Sequence, residues 1–288
     1  MPTPTIAVHG GAGRSVEDEG PYRAALEEAL RAGAGALAAG AAALDAVTIA
    51  VERLEDATLF NAGRGSVLTS EGRVEMDAAI MCGRTGRAGA VAAITGVRHP
   101  IALAREVMEH TPHVLLAAEG AERFAADQGL ERVEHDWLVT DHQRERYLRG
   151  GEEPLATVGA VALDASGALA AATSTGGKRG QLPGRVGDSP LIGAGTWADE
   201  RVAVSATGDG ERIILAAAAH EVAALVRHAG LELVPACDAV LASVDGAGLI
   251  AVDARGNVAM PFNTEAMHRG VQAGDGPPRT AVGRHASQ

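Results

Sequence analysis

The chain has 288 residues, of which 47% are hydrophobic and 22% charged, a composition typical of a globular protein with a large core rather than of a disordered one. Its formal net charge of −12 and its aromatic content of 2% argue against nucleic-acid binding, because a polyanion would be repelled and few rings are present on which bases could stack. No apolar run reaches the length of a membrane span, and the first residues form no basic and apolar leader, so we expect neither a membrane nor a nucleic-acid partner.

The two cysteines, Cys82 and Cys237, are far apart and form no paired motif. We therefore expect neither a disulfide framework nor a zinc knuckle, and we interpret both as reduced thiols. Together with the lack of a recognisable leader, this predicts a cytoplasmic protein.

The first half of the chain is predicted to alternate strands with Ala-rich helices. Apolar patterns predict strands at 5–8, 66–69, 73–81 and 88–95, and helices at 21–39, 44–54, 100–109 and 113–128. The glycine-rich segment 9–14 is interpreted as a turn near the active site, whose glycines permit another part of the chain to approach closely. Residues 129–156 are charged and lack a sustained period, so they are predicted to be irregular.

The second half is organised around a predicted β-hairpin, in which residues 157–163 lead into a D-A-S-G turn and 169–174 return. Further patterns predict strands at 191–198 and 201–207, helices at 208–230 and 236–244, a hairpin at 248–262 and one last short strand. Since the strands come in antiparallel pairs and the helices in twos, the order indicates an α/β protein with a four-layer αββα sandwich.

Thr157 opens the central hairpin directly after the charged segment. That segment is either a domain boundary or a processed loop, and its part 144–154 is predicted to be an exposed linker. A threonine that opens a strand becomes a nucleophile if the preceding peptide bond is cut, because the freed α-amine can act as its base. Thr157 is therefore a candidate nucleophile, and Thr175 follows where the return strand ends.

Two later segments carry residues suited to binding an amino acid and stabilising an oxyanion. In GRVGDSP, Arg185 could grip a carboxylate and Asp188 an ammonium group, although a local ion pair between them is an equal alternative. In SATGDGE, the hydroxyl of Thr207 and the N–H of Gly208 could form an oxyanion hole, or Thr207 could simply cap the following helix.

Taken together, these segments resemble one family, the plant-type L-asparaginases and isoaspartyl peptidases, which are N-terminal nucleophile hydrolases. The matching segments span nearly the whole chain in order: HGGAG (9–13), FNAGRGSV (60–67), TVGAVALD (157–164), AATSTGG (171–177), GRVGDSPLIGAG (184–195), TGDGE (207–211) and MPFNTEAMHRG (260–270).

The resemblance implies a single domain, 1–288, that cuts itself between Ala156 and Thr157 into an α chain of residues 1–156 and a β chain of residues 157–288. It implies that Thr157 is the nucleophile and that its own α-amine is the base. The other catalytic residues that it implies are Thr175, Thr207, Gly208 and Asn61, and the implied substrate-binding residues are Arg185, Asp188, Gly210 and Gly11, with Gly10 lining the site.

The resemblance further implies acyl transfer without a catalytic cofactor, with L-asparagine or a β-aspartyl dipeptide as the small-molecule substrate and L-aspartate as a product. It implies a homodimer of αβ units and a structural sodium ion held by backbone carbonyls. The matching carbonyl donors are those of Leu54, Glu55, Ala57, Phe60, Ala62 and Arg64.

The chain departs from the family pattern at Ala156, where glycine or aspartate is usual, and at Ala266 and His268. A Cβ at residue 156 restricts the strained backbone that favours cleavage, so we expect slower self-cleavage than in an Ala156→Gly variant. Two alternatives stay open. One is a glycosylasparaginase-like amidase, which usually carries a secretory signal, and the other is an uncut, inactive relative that binds β-aspartyl compounds.

Overall fold

The computed structural model describes residues 2–150 and 157–283. The strands within these ranges are β1 Thr5–Gly13, β2 Met76–Cys82, β3 Ala88–Ile94, β4 Leu115–Ala117, β5 Val158–Leu163, β6 Leu169–Thr175, β7 Thr196–Ala198, β8 Val202–Gly208, β9 Ala247–Asp253, β10 Val258–Ala259, β11 Ala266–Ala273 and β12 Arg279–Ala281. The helices are α1 Gly20–Ala38, α2 Ala43–Asp56, α3 Pro100–His110, α4 Ala118–Asp127, α5 His135–Leu138, α6 Asp141–Arg149, α7 Gly210–Ala216, α8 Ala218–His228 and α9 Leu233–Leu241. No helix in these ranges is long and apolar enough to cross a membrane.

The strands form two sheets that stack face to face between helices. The larger sheet has the order β12-β11-β1-β5-β6-β2-β3-β4, and the smaller has the order β10-β9-β8-β7. Helices α1, α2 and α3 cover the outer face of the larger sheet, and α8 and α9 cover that of the smaller. Three apolar clusters fill the spaces between layers: one under each helical layer and one between the sheets. The predicted four-layer αββα sandwich is confirmed.

The central hairpin is also confirmed, with β5 and β6 paired antiparallel from Val158 opposite Ser174 to Leu163 opposite Leu169. Its turn is closed by Asp164, whose Oδ1 accepts hydrogen bonds from the backbone N–H groups of Ser166 and Ala168. An aspartate side chain that binds the backbone two residues on is the usual chemistry of such turns. The hairpin lies in the middle of the larger sheet, and it therefore holds both Thr157 and Thr175 near the centre of the molecule.

The glycine-rich segment 9–13, predicted to be a turn, is instead part of strand β1. It continues pairing with β11, with a bulge between His9 and Ala12. Gly11 takes a positive φ of 104° within this bulge, a conformation that favours glycine. Strand β11, which has eight residues and was not predicted, pairs with this segment and keeps it extended. The last short strand that was predicted near the end of the chain is β12.

The predicted helix at 113–128 is wrong in its first turn, because Leu115–Ala117 forms strand β4 on the edge of β3. The predicted helix at 208–230 is broken at Ala217, which has φ 46° and ψ 45°. No glycine or proline marks this break. It follows from tertiary contacts, since the first N–H groups of α8 donate to the carbonyls of Ala194 and Gly193.

Three other predictions change. The hairpin predicted at 66–69 and 73–81 is only a turn, closed by a 2.8 Å bond from the N–H of Thr69 to the carbonyl of Arg73, and β2 pairs with β3 and β6 instead. The irregular segment contains α5 and α6, and the side chain of Thr140 caps α6 by accepting from the N–H of Gln143. Of the strand predicted at 191–198, only β7 forms. The predicted cut after Ala156, and the last part of the predicted linker, lie outside the described residues.

Candidate active site

Thr157 lies directly before β5, and its hydroxyl faces that of Thr175 at the end of β6. Thr157 Oγ1 donates to Thr175 Oγ1 over 3.0 Å, and the N–H of Gly177 donates to the same Thr175 oxygen over 3.1 Å. Both side chains are buried, with exposures of 6% and 2%. The structure therefore brings together the two hydroxyl groups that the sequence analysis singled out, and it fixes the direction in which the hydroxyl of Thr157 points.

Asn61 holds the strand end that carries Thr175. Its Nδ2 donates to the carbonyl of Gly177 over 2.7 Å, and its backbone carbonyl accepts from the N–H of Gly176 over 2.9 Å. A Cβ on Gly176 would lie 2.4 Å from Asn61 Oδ1, so the close contact requires glycine there. Asn61 Oδ1 accepts from the N–H of Val67. Its expected role toward the α-amine of Thr157 stays a prediction.

Thr207 and Gly208 end β8, in the sheet that faces β5 and β6. Thr207 is fully buried, and its Oγ1 accepts from the N–H of Ala12 over 3.3 Å. Its own hydroxyl proton is therefore available to donate, as an oxyanion hole requires. Gly208 has φ 132°, and a Cβ there would lie 2.2 Å from the carbonyl oxygen of Gly246, so only glycine fits at this point.

Arg185 forms an ion pair with Glu211 rather than with Asp188. Its Nε and Nη2 each lie 3.0 Å from Glu211 Oε1, and the Arg185 side chain is 17% exposed while that of Glu211 is 55% exposed. The guanidinium borders a surface cleft of about 440 Å³ that Lys178, Gln181 and Leu182 also line. A positive charge at the wall of an open cleft is suited to binding a carboxylate.

Asp188 is close to the same guanidinium but buried. A Cβ on Gly210 would lie 2.8 Å from both Asp188 Oδ1 and Arg185 Nη2, so these three residues converge. Asp188 Oδ2 has no hydrogen-bond partner among the residues that the structure describes. Burial raises the pKa of Asp188 to about 7, and nearby Asp77 and Glu211 add to the rise while Arg185 opposes it. A buried carboxylate with a free oxygen is suited to receiving a cation such as an α-ammonium group.

Asp77, on β2, is a polar residue of this region that the sequence analysis missed. It lies opposite Thr175 in the sheet, and its two carboxyl oxygens accept from the N–H groups of Ala93 and Gly187. Burial raises the pKa of Asp77 to about 6, although these two hydrogen bonds lower it. Asp77 thus ties the loop that carries Arg185 and Asp188 to the central sheet. The signal in the sequence was a single acid inside an otherwise apolar strand.

His9 is the second residue that the sequence analysis missed, because the HGGAG segment was interpreted only through its glycines. Its Nδ1 lies 3.0 Å from the carbonyl oxygen of Thr157, and its Nε2 lies 2.9 Å from Ser205 Oγ. Burial lowers the pKa of His9 to about 3, with the bond to Thr157 opposing the shift. The imidazole is therefore neutral at physiological pH.

Gly10, the next residue of β1, packs against the ring of Phe60. A Cβ on Gly10 would lie 2.2 Å from Phe60 Cε1. Tyr22 and His268 complete an aromatic cluster around that ring, with His268 stacked on Tyr22 at 4.5 Å. His268 thus contributes an aromatic surface at the position where the sequence departs from the family pattern.

The loop predicted to hold sodium folds back on itself after α2. The N–H of Arg64 donates to the carbonyl of Glu55 over 2.8 Å, and the carbonyls of Leu54 and Ala57 accept from N–H groups within the loop. A Cβ on Gly65 would lie 2.7 Å from the carbonyl oxygen of Phe60 and 2.9 Å from that of Thr58, so the loop is tightly folded here. Each carbonyl oxygen has two lone pairs, and a hydrogen bond therefore leaves one free for a cation. These hard oxygen donors fit an alkali ion. The described residues contain no cluster of three His, Cys, Asp or Glu side chains that could hold a metal ion.

Comparison with known proteins shows which family the chain resembles. The family model described as asparaginase matches residues 2–153 and 148–282. An isoaspartyl peptidase of Salmonella typhimurium is 49% identical, over 94% of this chain and 96% of its own. An isoaspartyl peptidase of Escherichia coli is 47% identical, over 94% of each chain. A plant-type L-asparaginase of Pyrobaculum calidifontis is 48% identical, over 92% of this chain and 96% of its own.

Proposed function

The chain belongs to the asparaginase family, and from this membership we propose that it is a self-processing threonine amidohydrolase. It hydrolyses β-aspartyl isopeptides and the side-chain amide of L-asparagine, and it releases L-aspartate. One observation carries the proposal: the paired hydroxyl groups of Thr157 and Thr175 lie at the head of the central hairpin. The relatives named isoaspartyl peptidase and plant-type L-asparaginase support both substrates.

The first step is self-processing. Thr157 Oγ attacks the carbonyl carbon of Ala156, the C–N bond to Thr157 breaks, and the Thr157 nitrogen leaves as an amine with the hydroxyl proton. Water then hydrolyses the resulting ester between Ala156 and Thr157 Oγ. The products are one chain of residues 1–156 and one of residues 157–288. The break of the C–N bond frees the α-amine that turnover needs, and hydrolysis of the ester restores the free hydroxyl of Thr157.

In turnover, the neutral α-amine of Thr157 takes the proton from its own hydroxyl. A free α-amino group has a pKa of about 7.7–8.0, so a useful fraction is neutral near physiological pH. Oγ attacks the side-chain carbonyl of the aspartyl group, and the hydroxyl of Thr207 with the N–H of Gly208 stabilises the oxyanion. Ammonia or an amine leaves with the proton, and water releases aspartate from the ester.

Substrate recognition falls to the converging trio of Arg185, Asp188 and Gly210. Arg185 binds the α-carboxylate, Asp188 binds the α-ammonium group, and the carbonyl of Gly210 assists Asp188. A Cβ added at Gly210 would lie 2.8 Å from both charged side chains, and this convergence supports the pairing. Because both ends of the aspartyl unit are held, the bond that Thr157 attacks is the one at its side chain.

The experiment that tests the proposal is intact mass spectrometry of the purified protein over several days, followed by a coupled assay for ammonia and aspartate. Thr157→Ala, Ala156→Gly and the remote Thr85→Ala are measured in parallel. We expect two fragments that meet at Ala156 and Thr157 in the wild type, faster cutting in Ala156→Gly, wild-type behaviour in Thr85→Ala and an uncut chain in Thr157→Ala. An uncut wild type that binds aspartate without releasing ammonia would instead identify a binding protein. Preference for a glycosylated asparagine would identify a glycosylasparaginase.

Sodium is proposed as a structural ion of the loop between α2 and Ser66. The carbonyls of Phe60, Ala62 and Arg64 would hold it together with those of Leu54, Glu55 and Ala57, and it would fix the loop that carries Asn61. Thermal unfolding in NaCl against choline chloride of equal ionic strength tests this without an activity readout. A higher melting temperature in sodium alone supports the site, and equal melting temperatures in both salts contradict it.

A homodimer of αβ units in the cytoplasm completes the proposal. Exposed apolar side chains at Leu182 and Leu215 offer surface for a subunit contact, and the free thiols of Cys82 and Cys237 suit a reducing compartment. Light scattering coupled to gel filtration measures the mass, which is expected at twice 29.2 kDa. Cell fractionation tests the location.

A further inference from the structure

A line of buried polar side chains runs behind Thr157 from one sheet to the other. It begins at the imidazole of His9, which lies 3.0 Å from the carbonyl oxygen of Thr157 and 2.9 Å from Ser205 Oγ. Ser205 Oγ lies 2.7 Å from Thr173 Oγ1, and Thr173 Oγ1 lies 2.7 Å from Thr196 Oγ1. All four side chains of the line are fully buried, so water does not compete for these bonds.

The hydrogen bonds of this line all run in one donor-to-acceptor direction, from Thr196 towards Thr157. A carbonyl oxygen only accepts, so His9 Nδ1 must carry the proton that faces Thr157. Burial lowers the pKa of His9 to about 3, and in the neutral ring Nε2 then bears a lone pair that accepts from Ser205. Ser205 in turn accepts from Thr173, and Thr173 accepts from Thr196. The competing carbonyls, Gly195 for Thr173 and Ser189 for Thr196, lie farther away at 3.2 and 3.0 Å.

The position of Thr157 explains why its carbonyl takes a side-chain partner. The antiparallel pairing of β1 with β5 ends where His9 faces Gly159, just before β1 bulges. Thr157 lies beyond that last pair, and the imidazole of His9 supplies a donor in place of a strand N–H. Gly159 leaves room for this arrangement, because a Cβ there would lie 2.1 Å from Ser205 Oγ and 2.4 Å from His9 Nε2.

We propose that His9 is a positioning residue that holds the carbonyl of Thr157 through a hydrogen bond from Nδ1. The line of hydroxyl groups behind His9 donates to Nε2 and so keeps the imidazole proton on Nδ1. Thr175 orients the hydroxyl of the nucleophile, and His9 anchors its carbonyl on the other side. Together they fix the rotation of Thr157 about its backbone, and so the geometry of both self-cleavage and turnover. This inference rests on the function proposed above.

Two substitutions of His9 separate this role from packing. The amide nitrogen of asparagine stands at the Nδ1 position of histidine, whereas that of glutamine stands at the Nε2 position. His9→Asn therefore keeps the donor to Thr157 and His9→Gln loses it, although glutamine is closer to histidine in volume. We expect kcat and the self-cleavage rate to fall about threefold to tenfold further in His9→Gln than in His9→Asn, the worth of one hydrogen bond, with KM unchanged in both. A role in packing alone predicts the opposite order.

Substitutions farther along the line test its direction. Ser205→Ala removes the donor that keeps the proton on Nδ1, and Thr173→Val acts one step farther away. We expect kcat to fall more in Ser205→Ala than in Thr173→Val, again at constant KM. Thr48→Val is the matched control, because Thr48 is also buried, with an exposure of 6%, but donates to the carbonyl of Leu44 in its own helix. We expect its kcat to be that of the wild type. A fall in kcat in Thr48→Val equal to that in Thr173→Val would overturn the proposed role of this line.

A spectroscopic measurement stands apart from activity. In protein labelled with ¹⁵N-histidine, the His9 signal is assigned by its loss in His9→Asn. We expect the neutral tautomer with the proton on Nδ1, without titration between pH 5 and 8. A proton on Nε2, or titration in that range, overturns the inference. If the wild type neither cuts itself nor releases aspartate, the proposed function fails and takes this inference with it. An active wild type with equal Asn and Gln variants overturns this inference alone.

Discussion

The guanidinium of Arg185 forms an ion pair with the carboxylate of Glu211, and its Nε and Nη2 each lie 3.0 Å from Glu211 Oε1. The group expected to bind the α-carboxylate of the substrate therefore already has a carboxylate partner. Glu211 is more than half exposed, so water screens the attraction and the pair is weak. A substrate carboxylate must displace this partner or share the guanidinium with it.

Removing the charge of Glu211 is expected to strengthen substrate binding. In Glu211→Gln, Arg185 keeps a neutral neighbour of the same shape, and KM should fall about twofold to fivefold, the range of one exposed ion pair, with kcat unchanged. Steady-state kinetics with L-asparagine measures this. Glu221→Gln, another exposed glutamate on the neighbouring helix, is the control and should leave KM unaltered. A higher KM in Glu211→Gln would show that Glu211 instead orients Arg185 for the substrate.

Replacing Asp188 is expected to abolish substrate binding and stabilise the fold at neutral pH. The folded-state pKa of Asp188 is raised from 3.8 to about 7, so between those values the folded protein keeps a proton that the unfolded chain has lost. The free energy of unfolding therefore falls as the pH rises through this window. Asp188→Asn removes that loss and should raise the free energy of unfolding at pH 8 by about 4 kcal/mol, with little change at pH 4.

Urea denaturation of wild type and Asp188→Asn at both pH values measures this difference. Asp275→Asn removes an exposed carboxylate and should change neither value. A destabilised Asp188→Asn at pH 8 would mean that the carboxylate makes a favourable contact within the folded protein.

The hydroxyl of Thr175 is expected to matter for chemistry and not for binding. Thr175→Val keeps the shape of the side chain but removes the oxygen that Thr157 Oγ1 and the N–H of Gly177 both contact. We expect kcat to fall about tenfold to a hundredfold because the nucleophile loses its orienting partner. Thr175→Ser restores the oxygen and should recover most of the activity. Equal activity of the valine and serine variants would contradict a role for this hydroxyl.

Glycine at position 10 is expected to be required by packing. Gly10→Ala places a Cβ 2.2 Å from Phe60 Cε1, and the clash should cost about 1–3 kcal/mol of stability. Gly35→Ala is the matched control, since nothing lies within 4 Å of its Cβ and it sits in helix α1. That change should stabilise the protein by about 0.5–1 kcal/mol. Thermal unfolding of both variants measures the contrast, and an unshifted melting temperature in Gly10→Ala would show that Phe60 moves aside freely.

Much of the fold could be predicted from local patterns, and the failures have physical causes. The β5–β6 hairpin was predictable because its turn chemistry and both its strands lie within one short stretch. Strand β4 was not, because three residues of Leu and Ala take the extended form only beside the free edge of β3. The break at Ala217 was not, because carbonyls from Gly193 and Ala194 impose it from another part of the chain.

The same division holds for the candidate site. Thr157, Thr175, Arg185 and Asp188 were identified from segments whose residue types and order carry the chemistry. His9 and Asp77 were missed, because their partners lie far away along the chain. His9 contacts a residue 148 positions away and another 196 positions away, and no local pattern reports such contacts.

The sequence by itself determined the inventory: a threonine at the head of a strand, a cation and a carboxylate in one loop, and glycines where side chains have no room. Only the tertiary structure decided how these groups meet. In the folded protein Arg185 pairs with Glu211, and burial raises the pKa of Asp188 to about 7. Four buried side chains also line up behind Thr157. The physical reason is that burial and long-range hydrogen bonds depend on how the two sheets stack, which residue types and local spacing do not encode.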